Sequence, residues 1–419
     1  MITNNSKIIR DPIHGNIQIK NYFIDLLETP EIQRLYNIKQ LGFAHLVFPG
    51  AHHTRLEHSL GVYKIASQIS DILEIEEYEK NILTCAAFVH DIGHGPFSHT
   101  LESILLEKFG VDHIDLTEKL ILGEYDIFES EENKFIQSPS VSQILESQGL
   151  NKKELISIIR GKNVEKSYLS QILNSTIDAD QLDYLVRDAY YTGVAYGLID
   201  IERLLQTLQI YNDNLTINRK GVGVMENILM ARGLMYSSVY FHKTVRIAEL
   251  MLSKAIEEIP DFEPFEFFRM TDAEILNSLK NMGNFQYEII TRLKYRKLFK
   301  QAYVASFYEL ENHEIKLVEE LEKTEIRRQK EIELEQRLNI EKGHVIIDAP
   351  HLDLLRAEPR INKTEISVID KNKIKSLDNF TPVAKAIRSR KIPDWMIMVV
   401  TDDKYRDIVS KKAEKILFS

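Results

Sequence analysis

Cysteine is almost missing from this chain of 419 residues, with Cys85 standing alone. An internal disulfide is therefore excluded, and the composition suits a reducing compartment such as the cytoplasm. Tryptophan also occurs once, and Gly and Pro number only 17 and 11. That is too few for a collagen-like or linker-like chain. Long apolar runs are lacking as well. Met396–Val400, and Leu83–Val89 with its Thr84, fall far short of the roughly 18 residues that span a bilayer. The opening Met1–Lys7 has none of the basic-then-apolar pattern of a secretory signal. Positive charge is in deficit: 53 Lys and Arg face 63 Asp and Glu, a net charge of −10. This argues against broad nucleic-acid or anionic-membrane binding, yet leaves room for a local basic pocket that holds phosphate.

What is present points to a folded, mainly helical protein. The chain is 44% hydrophobic and 28% charged, enough for a sizeable core in one large domain or a domain with appendages. Apolar residues recur at three- and four-residue spacing in 32–41, 61–73, 81–90, 167–187 and 223–256, which predicts helices. Alternation of the strand type is brief, at 16–19, 214–217, 344–347 and 396–400. From Gln301 to Ile340 there is neither Gly nor Pro, and charge crowds 319–337, the signature of a solvated or partner-facing helix. The organisation read from these patterns is a catalytic body over 1–300, a charged helical arm over 301–342, and a small α+β region over 343–419.

The histidines are distributed unevenly. Nine of the thirteen fall between His14 and His113: His14, His45, His52, His53, His58, His90, His94, His99 and His113. Core histidines would scatter more evenly. Adjacent side chains on a helix diverge by about 100°, so His90 and Asp91 can meet one ion only at a helix end. Gly93, Gly95 and Pro96 supply such an end. His58 and Asp180, from distant helical segments, would complete a set of two imidazoles and two carboxylates. That set suits one divalent ion such as Mn, Mg, Fe, Zn or Ni. The simpler alternative is that His90 and Asp91 only cap a helix.

At these residues the sequence resembles the HD-domain phosphohydrolases, and within them the deoxynucleoside triphosphate triphosphohydrolases related to the vertebrate SAM-and-HD-domain enzyme. The resemblance is carried by Asp11-Pro12-Ile13-His14-Gly15, Gln33-Arg34-Leu35, Ile38-Lys39-Gln40-Leu41-Gly42, Arg55-Leu56-Glu57-His58-Ser59, His90-Asp91-Ile92-Gly93-His94-Gly95-Pro96-Phe97-Ser98-His99, Asp180-Gln181-Leu182-Asp183-Tyr184 and Tyr240-Phe241-His242-Lys243. It covers roughly residues 8–300. It implies an HD-type multi-helix body in which His58, His90, Asp91 and Asp180 hold the metal, with Asp183 the rival for the fourth place. His94 and His113 would flank the scissile phosphate, with Glu102 orienting His94, because imidazoles titrate near neutral pH and suit proton transfer. His99 would be structural. Arg55, Lys243 and Arg232 would grip phosphates. Gln40, Asp183, Tyr184, Asp188 and Tyr240 would border the sugar and base, with Tyr184 beneath the deoxyribose excluding a 2′-hydroxyl.

The resemblance further implies a dNTP substrate, a homo-oligomer (dimer or tetramer), and a guanine-nucleotide activator held near Glu28 and Gln33. Tyr36 stands where an activator-binding Arg would be, and Gln181 replaces a phosphate-contacting Lys. Arg203, Lys220, Arg296 and Lys300 are the remaining candidates for that nucleotide. Arg187-Asp188 reads either as part of the site or as a simple ion pair. Two other functions remain open at this stage: another HD-type nucleotidase or phosphodiesterase, and a nucleotide-sensing module with little turnover.

Overall fold

Thr54 and Glu57 start the helix on which the body is assembled. The Glu57 carboxylate accepts from the Thr54 backbone N–H at 2.7 Å, a capping box that satisfies donors otherwise left without partners. The helix then runs over Arg55–Ile72. Leu56, Leu60, Val62, Ile65 and Ile69 are buried, and the helix packs against Glu77–Val89 and Ala179–Thr192. Tyr63 is wedged between Phe23 and Phe88, with ring centroids 4.9 and 5.5 Å away. The computed structural model describes residues 6–128, 132–162, 164–259, 263–350, 366–371, 373–389 and 394–419. The fold is mainly α, as the periodicity predicts. No described helix is long and apolar enough to cross a membrane.

Three runs read as single helices from their periodicity are interrupted, and each interruption shapes the site. Within 167–187 the chain forms Ser167–Leu173 and Ala179–Thr192. Asp178 divides them by accepting from Gln181 N at 2.7 Å and Ser175 N at 2.9 Å, a cap that outcompetes helix continuation. Within 223–256, Val222–Met235 gives way to a π-helical turn at Tyr236–Tyr240. The helix Lys243–Glu257 follows, its first turn capped by His242. Such turns occur often at functional sites, and this one carries Tyr240. Within 32–41 the helix Pro30–Arg34 and a tight turn at Leu35–Asn37 lead into extended chain. Lys39 bridges Thr54 there, and Gln40 N donates to His53 O at 3.0 Å.

Each place where alternation is seen carries a short strand, and further strands pair with these. Ser6–Asp11 pairs with Gly15–Lys20, which buries Ile17 and Ile19. A four-stranded sheet runs in the order Leu208–Tyr211, Asn214–Asn218, Ser367–Asp370 and Lys373–Ser376. A three-stranded sheet places Ile397–Thr401 between Lys300–Ala305 and Val345–Asp348. The charged stretch from 301 thus opens in a strand, then continues as helices Asn312–Leu321 and Thr324–Leu338. Not all of its charge is solvated. Glu331 and Glu335 are buried and accept from the backbone N–H groups of Ile347 (2.8 Å) and Val345 (3.1 Å). They satisfy the outer edge of a strand that would otherwise be open to pairing. Lys254 of the body donates to Glu331 at 2.7 Å, which ties this region to the Lys243–Glu257 helix.

Candidate active site

His58 is the centre of the site, and its two ring nitrogens face different carboxylates. Nδ1–H donates to Asp183 Oδ2 at 2.8 Å, while Nε2 lies 3.0 Å from Asp180 Oδ1 and 4.0 Å from Asp91 Oδ2. His90 is arranged alike: Nδ1–H donates to Ala87 O at 2.9 Å, and Nε2, buried and without a hydrogen bond, lies 3.2 Å from Asp91 Oδ1. Imidazoles that bind metals commonly donate the other ring N–H in this way, which fixes tautomer and direction. Ligand atoms of His58, His90 and Asp91 all lie within 4.8 Å of one another. The orphaned Nε2 of His90 and this N/O donor set fit a divalent cation. Burial opposes charge on His58, but Asp180 and Asp183 pull its pKa up to about 10; two carboxylates around one imidazole call for a cation, be it a proton or a metal ion. Burial also opposes ionisation of Asp91, yet His90, His94 and Arg55 hold its carboxyl well below the usual range.

The convergence of His90 and Asp91 follows from the loop after Val89. His94 N donates to Asp91 O at 3.0 Å, Gly93 N donates to Thr117 Oγ1 at 3.0 Å, and Thr117 Oγ1 donates to His90 O at 3.3 Å. A Cβ at position 93 would sit 2.2 Å from His113 O, so the loop can approach the helix His113–Leu122 only with glycine there. Nothing in the linear pattern marks Thr117.

Beside the carboxylates, His94 and His113 stack with ring centroids 3.8 Å apart. The structure corrects one expectation here: Glu102 engages His113, not His94. Its Oε1 pairs with His113 Nδ1 and accepts from the His113 backbone N at 3.2 Å. Eleven residues separate them, and the turn at Gly110 brings them together. His94 instead lies 3.3 Å from Asp91 Oδ1. The two imidazoles are driven apart electrostatically. Burial, reinforced by Arg55 and His113, pushes the pKa of His94 down to about 3; burial also opposes charge on His113, but Glu102 raises it overall.

The residues expected to meet substrate divide into two groups. Arg55 is placed by Nη1 donating to Asp91 Oδ2 at 2.6 Å and Nε donating to Ser98 Oγ at 2.9 Å. Asp188 accepts from Tyr240 O–H at 2.7 Å and meets His53 Nε2 at 2.8 Å. Tyr184 and Tyr240 stand edge to face, 6.0 Å apart, and Gln40 Oε1 is buried without a hydrogen bond. Lys243 is exposed at the start of its helix. Arg232, expected to grip phosphate, is buried as Arg55 is, and the Gln181 amide fits its surroundings with the oxygen 3.3 Å from Arg232 Nη1. Asp183 departs from the expectation that it meets substrate. Fully buried, it spends its oxygens on His14 (2.6 Å), His58 and Arg187 (2.9 and 3.0 Å), so it orients His58 rather than touching a ligand.

Arg187 pairs with Asp183 one turn earlier and with Asp11 at 2.7 Å, not with its neighbour Asp188. Adjacent side chains on a helix do not face each other, whereas residues four apart do. The proposed activator residues remain dispersed. Glu28 pairs with Lys7, Gln33 donates to Leu27 O at 2.7 Å, and Arg296 donates to Leu46 O at 2.9 Å. Arg203, Lys220 and Lys300 are exposed. Among the described residues no hydrogen bond or ion pair joins Glu28 or Gln33 to those four cations. The His99 side chain lies outside the described residues.

Comparison with known proteins meets this geometry from outside. The HD domain matches residues 55–188, and the HD associated region matches 199–418. The uncharacterized protein MJ1154 of Methanocaldococcus jannaschii is 32% identical over 94% of this chain and 78% of its own. A deoxynucleoside triphosphate triphosphohydrolase SAMHD1 homolog of Dictyostelium discoideum is 31% identical, covering 70% of this chain. The match takes in 60% of that relative's length. A crystal structure of a phosphohydrolase from Bacteroides thetaiotaomicron superposes with a TM-score of 0.68 at 26% identity, over 95% of this chain and all of the other.

Proposed function

Because the chain belongs to the HD-domain family of phosphohydrolases, we propose that it hydrolyses deoxynucleoside triphosphates to a deoxynucleoside and inorganic triphosphate. The observation that carries this reading is the convergence of His58, His90, Asp91 and Asp180 beside Arg55 and the stacked His94 and His113. A divalent ion, when bound there, polarises a phosphoryl oxygen and acidifies a water. Arg55, already held by Asp91 and Ser98, presents positive charge without reorganising, which is what growing phosphate charge requires. Lys243 adds a mobile ammonium. Tyr184, Asp188, Tyr240 and Gln40 line the sugar side, where a 2′-hydroxyl would meet the Tyr184 ring. The same reading includes a cytoplasmic homo-oligomer and a nucleotide activator, with manganese or magnesium as the first ions to try.

The stacked imidazoles divide the proton work. Burial opposes charge on His113 but Glu102 favours it overall, so His113 is the better placed of the two to give a proton to a leaving oxygen; His94, held toward the neutral form by burial, is left to accept or donate a hydrogen bond. Replacing Glu102 by Gln removes the anion that raises His113, so His113 loses its proton at lower pH. The alkaline limb of a kcat/KM profile is expected to move to lower pH in Glu102→Gln, and an unmoved limb removes His113 from the proton role.

Mass spectrometry of products tests the reaction itself. The protein is incubated with four dNTPs, singly and mixed, with Mn²⁺ and then Mg²⁺. Deoxynucleoside plus triphosphate is the expected result, and activity only in the mixture indicates an activator. Release of monophosphate or orthophosphate points to another HD-type nucleotidase. Bound nucleotide without product points to a sensing module.

A further inference from the structure

Arg34 lies buried beneath the loop that carries the metal-site residues, and its guanidinium binds only backbone. Nη2 donates to the carbonyls of Ile92 (2.8 Å) and His94 (2.7 Å), and Nη1 to those of Phe268 (2.7 Å) and Met270 (3.2 Å). Among the described residues no carboxylate forms an ion pair with it; burial opposes its charge, and Glu274 and Glu31 favour it only from beyond ion-pair distance. A buried charge whose hydrogen bonds all go to peptide carbonyls is an expensive way to fill space. What it supplies is geometry: a planar group with donors in fixed directions spans four carbonyls at once.

Asp272 works on the same loop from its far end. Its Oδ1 accepts from Phe97 N at 3.1 Å and its Oδ2 from Lys39 N at 3.0 Å. Phe97 sits at φ +46°, in the left-handed region that a bulky residue occupies only when its surroundings hold it there. Both anchors lead to one segment, 268–272, and the Phe268 ring would lie 3.1 Å from a Cβ at Gly95. His58 and Asp180 stand on regular helices, so their directions are set by packing. Asp91 and His94 stand on irregular chain, and their aim depends on whatever holds the peptides on either side of Gly93.

We propose that Arg34 is a positioning residue of the metal centre: by fixing the carbonyls of Ile92 and His94 against segment 268–272, it aims Asp91 and His94 at the ion. The proposal rests on the metal-centre reading above, and goes beyond it by assigning a residue that touches neither ion nor substrate. Arg34→Lys keeps a cation but reduces the planar fork to a point charge, and Arg34→Ala leaves room for a guanidinium ion from solution.

The test measures Mn²⁺ affinity by titration calorimetry, and amide hydrogen exchange of residues 91–97, in the full chain. Both variants are expected to keep the helical circular-dichroism signal and to exchange faster at 91–97. Mn²⁺ should bind roughly 10–100-fold more weakly, the range seen when residues behind metal ligands are changed. Millimolar guanidinium should restore affinity and protection to Arg34→Ala, whereas methylammonium should not. Wild-type affinity and exchange in Arg34→Lys would overturn the proposal. So would a loss of protection spread evenly over all helices that guanidinium does not repair. If the unaltered protein releases no triphosphate, the dNTP reading fails while Mn²⁺ affinity still decides Arg34. If it binds no Mn²⁺, the metal reading fails and the role of Arg34 in a metal centre falls with it.

Discussion

Replacing His90 and Asp91 together by alanine is expected to abolish both bound divalent metal and phosphohydrolase turnover, with the helical fold retained. The two residues supply two of the four ligands proposed above, and Asp91 is also the carboxylate that places Arg55. A metal ion contributes several kcal/mol of charge stabilisation at a phosphoryl oxygen, and each 1.36 kcal/mol is tenfold in rate. The loss should therefore exceed about three orders of magnitude. The fold should survive because His90 follows the last residue of the Glu77–Val89 helix, while the helix interior is held by Ile82, Leu83, Phe88 and Val89. Elemental analysis of the purified variant, product detection and circular dichroism together decide the matter. Retained turnover in the double variant would sink the site assignment.

Arg187→Met should be the most destabilising single change near the site. Arg187 is fully buried and bridges Asp183 (2.9 and 3.0 Å) to Asp11 (2.7 Å). A methionine fills similar volume but leaves two buried carboxylates without their cation. Breaking a buried pair in this manner costs about 3–5 kcal/mol, a large part of the roughly 5–15 kcal/mol that holds a typical domain together. Space for relaxation is scarce, since a Cβ on Gly61 would already stand 1.8 Å from Asp183 Oδ1.

The pH dependence of that variant has a definite sign. Burial opposes charge on Asp183, but Arg187, His14 and His58 hold its carboxyl well below the ordinary range. A depressed carboxyl contributes stability that is present above the unfolded pKa of about 3.9 and is lost as pH falls through the folded value. Without Arg187 the folded value rises, so acid unfolding should begin at higher pH. Urea midpoints across an acid series report both effects, and a midpoint equal to wild type at neutral pH would show that the pair contributes nothing net. Because Asp183 orients His58, weaker metal binding should accompany the loss of stability.

Much of the site is legible in the linear chain because its chemistry is concentrated and punctuated. The crowding of nine histidines before residue 114, and the Gly-flanked His90–His94 segment, mark candidate ligands at a helix end, and there the structure brings His90 and Asp91 together with His58. Glu331 and Glu335 show the opposite case. In a charged helix they read as solvated, yet they are buried because Val345 and Ile347 offer backbone donors on an open strand edge. A demand for partners created by another element leaves no trace in a helix's own periodicity.

By itself, then, the sequence determined the residue types, the helical periods and the breaks, since propensity, capping and donor chemistry act over a few neighbouring positions. The tertiary structure decided which group faces which. Asp180 and Asp183 lie one turn apart on one helix, and only packing against the Arg55–Ile72 helix sends Asp180 to Nε2 of His58 and Asp183 to Nδ1. Glu102 reaches His113 across a turn, and Arg187 reaches Asp11 across 176 residues. Hydrogen bonds and ion pairs act over about 3 Å in space, whatever the separation along the chain, so no local pattern can record them.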